Sequence, residues 1–186
     1  MRASRPVRTD ASFILLLTLL IFSGGEVLYP FLGAAVLHEG AHIVATLVMG
    51  GRVVDCRLSV WGASMTVAGL SYPREMIAVL AGPLVSLSAA LAAARFGYDM
   101  FAGLNLVAGL YNLLPARCLD GGRFLELAVC SRGNFRAAHV LLTFTTIGSA
   151  LLLAVPLILA FRGGIYNWSL LASVVLLGLN GLNAKE

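Results

Sequence analysis

The sequence predicts an all-α polytopic membrane protein of about six transmembrane helices, with a short β-hairpin between the second and third. Three observations carry this. Hydrophobic residues make up 59% of the 186 and charged residues only 12%, against roughly 45–50% and 25% in globular domains. Several apolar stretches approach or exceed the ~18–20 residues that cross a bilayer. Between two of them the hydrophobic period changes from helical to alternating.

The basic N-terminus, Met1 to Asp10, precedes a first span over about Ala11–Gly24. No small-residue cleavage site follows, so this span is expected to be retained. The second span runs about Val27–Met49, with Pro30 near its start, where proline is tolerated. From Val54 to Val60 the apolar residues alternate with Asp55, Arg57 and Ser59. The alternation resumes after Trp61-Gly62 with Ala63, Met65 and Val67. A period of two around a glycine predicts a hairpin over about 52–70. Non-helical backbone near membrane depth needs protein or a wet cavity to satisfy it, so the hairpin is expected beside the cytoplasmic mouth of a site. The third span covers about Glu75–Ala94 and the fourth about Phe101–Leu114, closed by Pro115. The fifth, about Ala137–Phe161, carries Pro156 as an expected kink, and the sixth is about Ile165–Asn183.

Charge orients the spans. With the N-terminus in the cytoplasm, only Arg95 and Arg162 of the thirteen Lys and Arg residues fall outside. This asymmetry places both termini inside. The net charge of +4 is therefore topological, and no nucleic-acid partner is expected. Cys56, Cys118 and Cys130 are odd in number and fall on or near the cytoplasmic side, where thiols stay reduced, so no disulfide framework is expected.

The chemistry begins with His38-Glu39-Gly40-Ala41-His42 inside the second span. Residues four apart share one helix face, with Cβ atoms about 5–6 Å apart. Two imidazoles at that spacing can clamp one metal ion, and the glutamate between them can take a proton from an attacking water. Ionisable groups within membrane-like sequence are costly and seldom ornamental. Two histidines leave zinc short of the usual three protein ligands. His139 and Cys118 are chemically possible thirds, but Asp120 has the more distinctive setting. It follows Asn112-Leu113-Leu114-Pro115-Ala116-Arg117-Cys118-Leu119 and precedes Gly121-Gly122. Pro115 ends a helix, and the glycines permit backbone shapes closed to other residues. On spacing alone Asp120 is equally a ligand turned inward or the N-cap of the amphipathic stretch Arg123–Val129.

His38-Glu39-Gly40-Ala41-His42, then Ala81-Gly82-Pro83-Leu84-Val85-Ser86, then Asn112-x-x-Pro115-x-x-x-Leu119-Asp120-Gly121 resembles the site-2 protease family of intramembrane zinc metalloproteases. The middle motif carries small residues that let helices approach closely. The resemblance implies one Zn2+ per chain held by His38, His42 and Asp120, with Glu39 as general base. It also implies that Asn112 positions the substrate or stabilises the transition state. It implies one intramembrane metalloprotease domain over 1–186, without a PDZ or CBS module. That domain would sit in the inner membrane and cleave a membrane-tethered protein of the pro-sigma or anti-sigma type. The compact layout is similar to the branch containing the sporulation pro-sigma-factor protease. One departure is Cys118, where a proline often precedes Leu-Asp-Gly in that family. A regulatory membrane partner and homo-oligomerisation both stay open.

Two rivals are weighed. A pseudoprotease scaffold or chaperone is disfavoured by the complete His38, Glu39, His42 and Asp120 set. A metal transporter would more often show paired broken helices in two related halves. His38 lies about eleven residues into its span, roughly 16 Å from the outer end at 1.5 Å per residue. Asp120 follows the cytoplasmic end of the fourth span, so the two meet only if that helix breaks and folds back. This puts the expected metal in the cytoplasmic half of the bilayer, with water entering from the cytoplasm.

Overall fold

The computed structural model describes residues 8–10, 18, 21, 25–59, 62–164, 171, 174, 175 and 177–179. Most of the expected first and sixth spans, and the Val60-Trp61 tip of the hairpin, lie outside these. The chain forms two compact units, Met1–Leu110 and Tyr111–Glu186.

In the first unit, strand β1 (Arg8–Thr9) precedes helix α1 (Gly25–Val48), then β2 (Arg52–Ser59), β3 (Gly62–Ala68) and helix α2 (Tyr72–Arg95). Helix α3 (Asp99–Asn112) follows. α1 opens on Glu26, whose carboxylate meets the positive end of the helix dipole. It closes on Gly50, whose φ of +85° no other residue adopts cheaply. The Gly51 amide donates to the Thr46 carbonyl at 2.9 Å and the Gly50 amide to Leu47 at 3.0 Å, a Schellman closure. Gly97 (φ +78°) ends α2 in the same way, with Tyr98 donating to Ala93 and Gly97 to Ala94. Pro73 stands in the first turn of α2, where its missing amide costs nothing.

α1 and α2 pack through small buried residues, among them Ala34, Ala78 and Ala90. Close approach of this kind is how helices associate where burial of apolar surface gives no drive. α3 joins them at two points. Gly33 of α1 lies against the Phe101 ring, and a Cβ at Gly109 would strike Leu87 and the Pro83 carbonyl.

The expected hairpin is present. β2 and β3 pair antiparallel with Cys56 opposite Met65, Arg57 opposite Ser64 and Ser59 opposite Gly62, and a bulge falls between Val53 and Asp55. β1 adds a parallel strand to the other edge of β2, Arg8 opposite Arg57. Arg57 Nε meets Asp10 Oδ1 at 3.3 Å, an exposed pair. The sheet order is β1-β2-β3, so among the described residues the outer edge of β3 is unpaired. The third strand was not expected, because two paired residues leave no readable period.

The second unit contains helix α4 (Asp120–Cys130) and helix α5 (Phe135–Arg162). Asn134 caps α5 by accepting the Ala137 amide at 3.0 Å. α5 continues as helix through Pro156. Its buried face carries Ala138, Leu142, Thr146, Ser149 and Ala150.

Three helices are long and apolar enough to cross a membrane: Glu26–Val48, Tyr72–Arg95 and Phe135–Arg162. α3 has 14 residues, about 21 Å of helix against a hydrocarbon core about 30 Å thick. Among the described residues, three of the six expected spans are thus present as helices of full crossing length. Large apolar side chains such as Val44, Leu91 and Phe144 are exposed, as lipid-facing residues are.

Candidate metal centre

His38 and His42 stand one turn apart on α1, and their Nε2 atoms face each other at 3.3 Å. His38 is only 5% exposed. The rings are nearly perpendicular, at 80° with centroids 5.0 Å apart. Each outer nitrogen is engaged by α2. His42 Nδ1 donates to the Ala78 carbonyl at 2.9 Å, and His38 Nδ1 meets Ser86 Oγ at 2.9 Å. A carbonyl can only accept, so the His42 proton resides on Nδ1 and its Nε2 presents a lone pair toward His38. The Ser86 hydroxyl can donate or accept, which lets His38 take either tautomer.

These residues fit a metal ion. Two nitrogens held tetrahedrally at about 2.0–2.1 Å from one cation lie about 3.3–3.4 Å apart, the separation seen between the two Nε2 atoms. Outer partners on both Nδ1 atoms complete the arrangement by which proteins orient metal-binding imidazoles. Without a cation, the same geometry lets His38 Nε2–H donate to His42 Nε2.

The small residues of α2 have a specific purpose here. A Cβ added at Gly82 would overlap the His42 imidazole at Nε2 and Cε1, so glycine makes the space that the ring occupies. Ser86, one turn further, is fully buried and reaches the other histidine. The middle motif therefore touches both imidazoles, whereas its residues alone pointed only to close helix packing. Ser86→Ala is expected to weaken metal binding about 10–100-fold, the usual effect of losing an outer-shell partner. Competition against a chromophoric chelator measures it.

Glu39 shares α1 with the histidines. Burial pushes the Cys56 thiol above its ordinary range, and the negative charges of Glu39 and then Asp55 add to the rise. The negative charge of Glu39 is thus felt in the hairpin, at Cys56. Glu39→Gln removes one of those charges, so Cys56 should be alkylated faster in that variant at pH 8, as rates with iodoacetamide would reveal.

In the second unit Asp120 is the first helical residue of α4, and Leu119 takes the N-cap position without a side-chain cap bond. The N-cap alternative for Asp120 is thereby removed. As the first residue it keeps its carboxylate at the positive end of the helix dipole. Gly121 and Gly122 both have negative φ among the described backbone, so they are not needed for unusual conformations. They are needed for room. A Cβ on Gly121 would collide with the Leu113 carbonyl, and one on Gly122 with the Ala116 carbonyl. Asn112 is the last residue of α3.

Within the first unit His38 and His42 each offer a ring nitrogen that could bind a metal ion, and in the second unit Asp120 offers a carboxylate oxygen. In the same unit His139 Nε2 is buried without a hydrogen-bond partner, and Cys118 is exposed.

Over its whole length the chain superimposes on the site-2 protease from Methanocaldococcus jannaschii, with a TM-score of 0.71 at 20% identity, covering 93% of that chain. The fold is that of a site-2 protease. Residues 65–155 match peptidase family M50, a metalloprotease family. The matched stretch takes in the middle motif and the Asn112 to Gly121 motif of the site-2 protease resemblance, and His38 and His42 lie before it. No curated protein matches closely enough to count as a relative.

Proposed function

We propose that this chain is a zinc-dependent intramembrane endopeptidase that cleaves membrane-tethered regulatory proteins, of the pro-sigma or anti-sigma factor type, within or near a transmembrane segment. The observation that carries the reading is the pair of buried imidazole Nε2 atoms 3.3 Å apart on a membrane-length helix. Both outer nitrogens are already engaged. The family match at residues 65–155 supports it.

On this reading His38, His42 and Asp120 hold one zinc ion. When bound, zinc supplies Lewis-acid polarisation of the scissile carbonyl and lowers the pKa of a water to about 7. Glu39 accepts the proton of the attacking water and returns it to the leaving amine. Ser86 and the Ala78 carbonyl keep the imidazoles aimed. Asn112 positions the substrate backbone. A substrate helix hides its peptide bonds in its own hydrogen bonds and must unwind before attack, which helix-breaking residues make easier. The outer edge of β3, unpaired among the described residues, receives the unwound segment as an added strand. The protein sits in the inner membrane with both termini in the cytoplasm, and water reaches the site from that side.

Co-expression with a membrane-tethered reporter tests the reading. The unaltered chain should release the soluble part of the reporter, and His42→Ala should not. Equal release by both would overturn the protease reading. Intact reporter with the unaltered chain, across substrates that contain helix-breaking residues, would favour a non-catalytic scaffold.

A further inference from the structure

The loop that leads to Asp120 is fixed to α5 over three of its turns, and no pattern in the sequence announces this. Within the loop, Leu114 donates to Tyr111, Ala116 to Leu114 and Leu119 to Ala116, while Pro115 has no amide to satisfy. The Arg117 amide goes elsewhere: it donates to Thr146 Oγ1 at 2.9 Å. Thr146 is fully buried and its hydroxyl donates in turn to the Leu142 carbonyl at 2.5 Å. Its proton is thus committed to its own helix, and its lone pairs face the loop.

The Arg117 side chain extends the attachment. Its Nη2 donates to the His139 carbonyl and to Thr143 Oγ1, both at 3.2 Å. One turn beyond Thr146, Ala116 packs with Ala150 in the buried cluster of this unit. Loop residues 116 and 117 are therefore held along α5 from residue 139 to residue 150. α4 begins directly on the same loop, because Gly121 and Gly122 lie against the Leu113 and Ala116 carbonyls. Asp120 sits between these two attachments, three residues after Arg117 and directly before Gly121.

We propose that Thr146 and Arg117 are positioning residues that hold Asp120 in metal-binding register by latching its loop to α5. The inference rests on the reading of Asp120 as a ligand. A buried N–H without an acceptor is strongly disfavoured, so deleting the Thr146 hydroxyl would turn the Arg117 amide to a new partner and carry Asp120 with it.

The test is zinc affinity of the purified full chain by chelator competition, with kcat and KM on a tethered reporter and helicity by circular dichroism. Thr146→Val should keep helicity, weaken zinc binding about 10–100-fold, as outer-shell losses do, and lower kcat with KM unchanged. Thr146→Ser, which restores the hydroxyl, should return affinity to within about threefold of the unaltered chain. If Thr146→Val fails to fold, Thr143→Val and Arg117→Leu remove the side-chain half of the latch and should weaken zinc binding in the same direction. Asp120→Ala separates the two ideas. Affinity unchanged in Asp120→Ala would overturn the ligand reading and the latch together. Affinity lost in Asp120→Ala but retained in folded Thr146→Val, or in Thr143→Val and Arg117→Leu, would overturn the latch alone.

Discussion

Glu39→Gln is expected to abolish cleavage of a tethered substrate while leaving zinc content near that of the unaltered chain. The substitution conserves size and helix propensity, and neither hydrogen bond that aims the imidazoles involves residue 39. It removes the only proton acceptor between the two histidines of α1. General-base catalysis contributes about 10²–10⁴-fold, so release of the reporter should fall by at least that factor. Zinc per chain, measured alongside cleavage, separates lost chemistry from lost metal. Persistent cleavage would remove Glu39 from its role. A parallel loss of zinc would make it a structural residue instead.

Gly82→Ala should have an equally large effect by a different route. The added methyl would occupy the space of the His42 imidazole. Either the ring turns away or α1 and α2 move apart, and overpacking of this kind costs about 1–3 kcal/mol. Both responses spoil the 3.3 Å alignment of the Nε2 atoms. Zinc affinity should therefore drop more than tenfold, toward that of His42→Ala. Gly103→Ala serves as the comparison, since a Cβ there meets nothing within 4 Å and should leave zinc binding unchanged. If Gly82→Ala retained full affinity, the close packing of α2 against His42 would not be what sets the site.

What the sequence made legible follows from which interactions leave a period or a spacing. The histidine pair was visible because four residues is a helical repeat, and the hairpin because alternation is the signature of a strand. The Gly82-to-Ser86 motif was visible as small residues, yet its contacts to two particular imidazoles depend on how α1 and α2 pack. Asp120 was ambiguous for a related reason. Capping and metal-binding aspartates look alike in sequence, and only the placement of Leu119 in the cap position distinguishes them. Gly121 and Gly122 suggested unusual backbone angles, whereas their real constraint is contact with carbonyls six to eight residues earlier. The β1 strand and the Thr146 contact had no signal at all. One is two residues long, and the other joins positions 29 residues apart through a single hydroxyl.

The most direct test of the account is X-ray absorption at the zinc edge of the purified chain loaded with one equivalent of metal. Two imidazole nitrogens at about 2.0–2.1 Å and a carboxylate oxygen at about 2.0–2.2 Å are predicted, with the oxygen shell altered in Asp120→Ala and one imidazole lost in His42→Ala. A coordination sphere without histidine, or one indifferent to both substitutions, would contradict it.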